Sequence, residues 1–261
     1  MNANAGEPAE HRVVVFAAPE EPDELAEVLH TVLGLHLTDA MVRARNVPGL
    51  LPDALTAGQA AQLAAAIQGL GLSAEAKAAA ELPDLREGQA AHHCKCTPNG
   101  LEVLGLTGGV QVVVPWNRID LVCAGVVPQE GTRHYPTGEM AVLSAARRTP
   151  RSRLDIPATS GPELWIVSRE PDHIWRIDHK RMNYEYLGDR KTESATVNFH
   201  TFLQDLVQFV PGAYLPPSTR ALLANGPERL THFASSEDLG RYAQFHLLIH
   251  RHPPLPPQES T

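Results

Sequence analysis

The stretch from Leu33 to Ala76 leaves few ways to fold, because helix starts and stops follow one another with hardly a residue to spare. Thr38 stands where a helix carrying Ala40, Met41 and Ala44 needs a cap, and Pro48-Gly49 ends that helix. Leu50 to Leu55 is a short strand candidate. Thr56 and Gln59 form a capping box ahead of AAQLAAAIQGLG, and Gly71 stops the helix they open. Leu72 to Ala80 supplies one more strand. Upstream, RVVVFAA (12–18) is an apolar run with the character of a buried strand. Pro22 fits a first helical turn, and Asp23, Glu24 and Glu27 suit the positive end of a helix. Leu25, Val28, Leu29 and Val32 then recur at helical spacing. The order predicted for residues 12–80 is therefore β-α-α-β-α-β.

The texture changes after a polar segment with Pro and Gly, LPDLREGQA (82–90), which reads as a linker. Short β-rich runs follow, with hairpin signals at Pro98-Asn99-Gly100 and Gly108-Gly109. Residues 163–178 predict two strands around a turn at Pro171-Asp172. Phe199, Phe202, Leu203, Leu206, Val207 and Val210 then share one face of an amphipathic helix, with Asn198 as its cap. Residues 127–162, rich in Pro, Thr, Ser and Arg, read as a long insertion, with one helical turn at MAVLSAARR. The prediction is an α+β chain: a β-α-α-β-α-β domain at 12–80, a β-rich domain with a closing helix at 90–215, a helical region at 216–250 that packs on the second domain, and a Pro-rich tail at 251–261.

At 261 residues and 43% hydrophobic, the chain has enough length and apolar surface for two modest cores. No apolar run approaches the roughly 20 residues that span a bilayer. The opening MNANAGEPAEHR is polar and acidic, unlike a secretory signal. Three unevenly placed cysteines do not make a disulfide framework, so a cytoplasmic location is expected. Charge is uneven. Through Arg86 there are 12 acidic and 5 basic residues, against 18 and 17 beyond it. An acidic first domain argues against nucleic acid as a partner, because the phosphate backbone is bound by Lys and Arg.

Residues 33–76 resemble the C-terminal domain of the bacterial ribosomal stalk protein. The matching positions are Gly34, Leu35, Leu37, Ala40, Pro48, Leu51, Leu55, Thr56, Ala60, Leu63, Ala66, Ile67 and Gly71. The resemblance implies a partner-binding module that presents its first two helices. In that family the surface is basic. Here the matching positions hold Pro22, Glu27, His30 and Thr38, so the sign is reversed and factor recruitment to a ribosome is not what the residues favour. A related fold belongs to the Clp protease adaptor that reads destabilising N-terminal residues. Pro22 and Thr56-Ala57 match its pattern, while its amine-binding carboxylates and its His are missing at the matching places; Glu20 and Glu21 are the nearest acids. Farther on, VVVPWNRIDLV resembles the Pro-Trp-x-x-Ile strand of bacterial pleckstrin-homology-like domains.

These readings lead to a non-catalytic adaptor that docks another protein on an acidic helical surface around Glu24, Glu27 and His30. Tyr184 and Tyr186, placed on one strand face, are either a second peptide-binding surface or a packed aromatic pair. The alternative is a metal-binding or catalytic second domain. On a strand over 91–97, His92, Cys94 and Cys96 would point one way, which suits zinc, with Cys123 or His134 left to complete the set. Cys-x-Cys on a strand also buries two small apolar side chains without any metal. Arg147, Arg148, Arg151 and Arg153 form a basic cluster that would meet anionic lipid or be merely solvated. His246 and His250 share a helix face near a C-terminus, and His252 follows, where the helix dipole favours them. No nucleophile elbow, phosphate-cradling loop, dinucleotide fingerprint or kinase signature occurs.

Overall fold

Three consecutive valines organise the first half of the chain. In strand β1 (His11–Val15), Val13, Val14 and Val15 are all buried, which requires cover on both faces of the sheet. The computed structural model, which describes residues 10–85, 88–105, 107–129, 160–169 and 173–253, supplies that cover from two directions. β1 is the middle strand of an antiparallel sheet between β2 (Gly49–Leu50) and β3 (Ala74–Ala78). Val13 and Val15 face a core built from helices α1 (Pro22–Leu33), α2 (Leu37–Arg45) and α3 (Ala57–Gly69). Val14, on the opposite face, packs with Leu50, Leu82, Phe245 and Leu248.

Local chemistry sets the helix ends. Pro22 opens α1, Asp23 and Glu24 lie in its first turn, and Gly34 ends it in the left-handed region at φ 68°. The capping box at α3 is complete: Thr56 N donates to Gln59 Oε1 at 3.1 Å, and Gln59 N donates to Thr56 Oγ1 at 3.4 Å. Thr56→Ala is expected to cost about 1 kcal/mol, measurable by urea denaturation. α2 departs from expectation. It begins at Leu37, and His36 caps it by accepting from Thr38 N at 3.3 Å, because an imidazole nitrogen has the lone pair that a capping hydroxyl would offer.

The second half holds two sheets. One is the meander β5 (Cys94–Thr97), β6 (Gly100–Leu104) and β7 (Val110–Val114). The other has the order β4-β10-β9-β8, from β4 (Gln89–Ala90), β8 (Ile119–Pro128), β9 (Ser160–Ser168) and β10 (His173–Asp178). Both contribute to one core, closed by α4 (Ala195–Phe209) through Phe199, Phe202, Leu203 and Leu206. Ser194 caps α4 by accepting from Val197 N. Asn198, expected as the cap, lies inside the helix, where its amide is bonded to both backbone groups of Thr192. Helices α5 (Pro217–Leu223), α6 (Glu228–Thr231) and α7 (Ser236–Arg251) complete the chain, which is α+β. No helix among the described residues is long and apolar enough to cross a membrane.

Two expectations about organisation are corrected. Residues 82–90 are not a free linker: Leu82 and Leu85 are buried, and Gln89–Ala90 pair parallel to β10. The C-terminal helices do not pack on the second domain alone. On α7, Leu239, Ala243 and Leu247 meet Leu121, Cys123, Trp165 and Val167 of the four-stranded sheet, while Phe245 and Leu248 meet the first sheet. A helix apolar on two faces thus fills the space between two sheets.

Candidate functional site

The outer surface of α1 and α2 is acidic. Glu20, Glu21, Asp23, Glu24, Glu27 and Asp39 are exposed, as is His30. His30 Nδ1–H donates to the Leu35 carbonyl at 2.5 Å, tying the ring to the turn between the helices. Arg43 is held by Asp53 through two bonds of 3.0 Å, which takes one of the nearby cations out of play. Two apolar side chains on α2 stand out beside the acids: Leu37 is 49% and Val42 56% exposed. The helices turn Leu25, Ala26, Leu29, Ala40 and Ala44 inward, so the charged positions are the outward remainder of their helical faces. The sequence-predicted residues Glu24, Glu27 and His30 all lie on this exterior.

The tyrosine segment is corrected. It is not a strand but leads into a 3-10 turn at Glu185–Arg190. Tyr184 is buried and its hydroxyl donates to the His179 carbonyl at 2.9 Å, so it presents nothing to a partner. Tyr186 is half-buried, sets its ring edge-on to Phe202, and donates to Asp205 Oδ2 at 3.1 Å. Arg190 grips the same carboxylate at 2.7 and 2.8 Å, and together with the tyrosine holds Asp205 below the usual carboxylate range. The reason is the amphipathic α4 next in the chain, whose apolar face draws both rings inward.

β5 begins only at Cys94, so it carries Cys94 and Cys96 on one face while His92 lies before it. The two thiols pack into or against the core, and burial pushes both up to about 12. Cys123 is also buried, and burial raises it as well. Among the described residues, no three of His, Cys, Asp or Glu are grouped to hold a metal ion. His134 and the arginines at 147, 148, 151 and 153 lie outside the described residues, as does the tail from residue 254.

What the sequence did not reveal is a cavity of about 580 Å³ beside this cluster. Residues 89–93 leave the edge of β10 and cross to the second sheet. Ala91 N donates to Arg176 O, Asn183 N to His92 O and Leu104 N to His93 O, at 2.7–2.9 Å. The gap at that crossing is walled by His92 and His93, the end of β6, Gln111 and Val112 of β7, His173 and Trp175 of β10, and by Arg181 and Asn183. The rings of His173 and Trp175 lie 5.0 Å apart. The adjacent His pair was the visible signal, but its meaning depended on strands distant in sequence.

A second cavity, of about 480 Å³, lies between Arg12, the segment from Ala79 to Leu85, Trp165 and the start of α7. Its rim mixes Glu10, Asp84 and Glu237 with Arg12, Arg176 and Arg241, so it favours neither sign of charge. Comparison with protein-family models, with curated proteins and with solved structures gives no match.

Proposed function

We propose that this chain is a non-catalytic adaptor that docks a basic protein surface on the outer face of α1 and α2. The observation that carries the reading is the pairing of six exposed carboxylates with two exposed apolar side chains, Leu37 and Val42. A docking patch needs such apolar contact for affinity and a charged rim for steering and selection. The inner face of the same helices is committed to the core, and the far side of their sheet is covered by α7, which leaves this exterior as the free side of the module. The β-α-α-β-α-β order of residues 11–78 supports the kinship we propose with the ribosomal stalk module and the Clp adaptor fold. In this reading the partner differs from that of the stalk, because the charge of the surface is opposite. For the second unit we propose a pleckstrin-homology-like module, supported by two sheets closed by α4. We place the protein in the cytoplasm, where its three free thiols stay reduced.

The test is affinity capture with the full chain at low and high salt. Wild type is expected to retain a basic partner at low salt and release it at high salt. Glu24→Lys with Glu27→Lys should weaken capture about tenfold or more, since both steering and contact reverse sign. Identical partners, retained equally by wild type and variant, would remove the acidic surface from the proposal.

A further inference from the structure

We propose that the cavity between residues 89–93 and β10 binds a small organic monoanion, a carboxylate carried on a planar or apolar body. In a chain of net charge −8, its lining among the described residues contains Arg181 and three histidines and no carboxylate. Of the described acids in the neighbouring turn, Glu185 is paired with Lys191, and Asp178 bonds the backbone N–H of Lys180. Arg181 forms a long ion pair with Asp178, Nε to Oδ2 at 4.0 Å, beyond hydrogen-bond distance, and its side chain is largely exposed, so its N–H groups remain open to a ligand. Asn183 Oδ1 accepts from Glu185 N at 2.8 Å, which fixes the side-chain amide at the wall of the cavity. His93 Nε2 is buried without a hydrogen-bond partner among the described residues, and a buried polar atom left so calls for a reason. Trp175 adds an aromatic surface, so one end of the cavity offers donors and the rest offers apolar contact.

The number of fixed charges selects the ligand class. One arginine balances one negative charge, and the imidazoles and side-chain amide add directed hydrogen bonds. A phosphate monoester, close to doubly charged at neutral pH, would leave about one charge uncompensated in a partly dry site. The cavity volume lies within the range of small-molecule sites, roughly 300–1,000 Å³.

This inference is independent of the adaptor reading, and its experiment separates the two. Titration calorimetry of the full chain at neutral pH would use phenylacetate and indole-3-acetate as probes, with phenylacetamide and phenyl phosphate beside them. At least one of the two acids is expected to bind, phenylacetamide at least about tenfold more weakly than phenylacetate, and phenyl phosphate no more tightly than phenylacetate. Arg181→Gln, at an exposed position, should weaken the acid about tenfold with the fold intact by circular dichroism. Arg176→Gln, on β10 but outside this cavity, should not alter it, nor should Glu24→Lys with Glu27→Lys. Binding of neither acid, equal binding of acid and amide, tighter binding of phenyl phosphate, or indifference to Arg181→Gln would each overturn the proposal.

Discussion

Phe245→Ala is expected to destabilise the protein by about 3–5 kcal/mol and to split its unfolding into two steps. Phe245 is buried on α7 and packs with Val14, Leu50, Leu82 and Leu248, with its ring 6.4 Å from that of Phe16. Truncation leaves a cavity at the seam where α7 covers the far side of the first sheet, and the surroundings are held by β1 and cannot collapse freely. The three tryptophans make the test direct. Trp116, Trp165 and Trp175 all lie beyond residue 90, so their fluorescence reports the second unit, whereas far-ultraviolet circular dichroism reports both. The two probes should coincide in wild type, and in the variant the dichroism should change at lower denaturant than the fluorescence. Coincident curves with a loss below about 1 kcal/mol would mean that Phe245 does not join the units.

Acid should weaken the fold through His246. The ring is buried on α7 between Tyr214, Tyr242 and Phe245, and the Tyr214 hydroxyl lies 3.3 Å from Nδ1. A tyrosine hydroxyl donates to a neutral imidazole nitrogen, and a proton on Nδ1 would abolish that bond. Burial first, and then the nearby Arg220, lower the histidine from 6.5 to about 4. In the unfolded chain it titrates near its ordinary value. Above pH 6.5 both states leave it neutral and its contribution is intact. As pH falls below 6.5 the unfolded chain takes up a proton that the folded chain refuses, and stability drops until about pH 4. The full loss is about 3 kcal/mol. Urea denaturation at pH 7 and pH 4.5 should show His246→Gln losing about 2–3 kcal/mol less than wild type across that interval. Equal losses would show that another group carries the acid sensitivity. His250, stacked on the other part of Tyr214 at 5.3 Å, is exposed and does not share this burial.

Legibility divided along physical lines. The capping box at Thr56, the left-handed stop at Gly34, the hairpins at Asn99-Gly100 and Gly108-Gly109, and the apolar face of α4 are local, and a few neighbouring residues fix each of them. Glu24, Glu27 and His30 were placed on an exterior for the same reason: they are what helical periodicity leaves over once Leu25 and Leu29 turn inward. The strand placement of Tyr184 and Tyr186 failed because their alternation resembles a strand, while the packed-pair alternative rests on distant partners, the core for Tyr184 and Phe202 with Asp205 for Tyr186. For Cys94 and Cys96 the structure carries the packing alternative, with both thiols in or against a core built by strands distant in sequence.

By itself, the sequence determined the α+β class, the order of the first six elements and the acidic exterior of α1 and α2, since propensity, capping and periodicity act within a few residues. Only the tertiary structure decided that α7 occupies the space between the two sheets, that Leu82 and Leu85 are buried while Gln89–Ala90 pair with β10, and that three histidines and Arg181 share one cavity. Those outcomes join residues dozens to more than two hundred positions apart, and contacts at that range are set by which apolar faces remain uncovered after the local elements have formed.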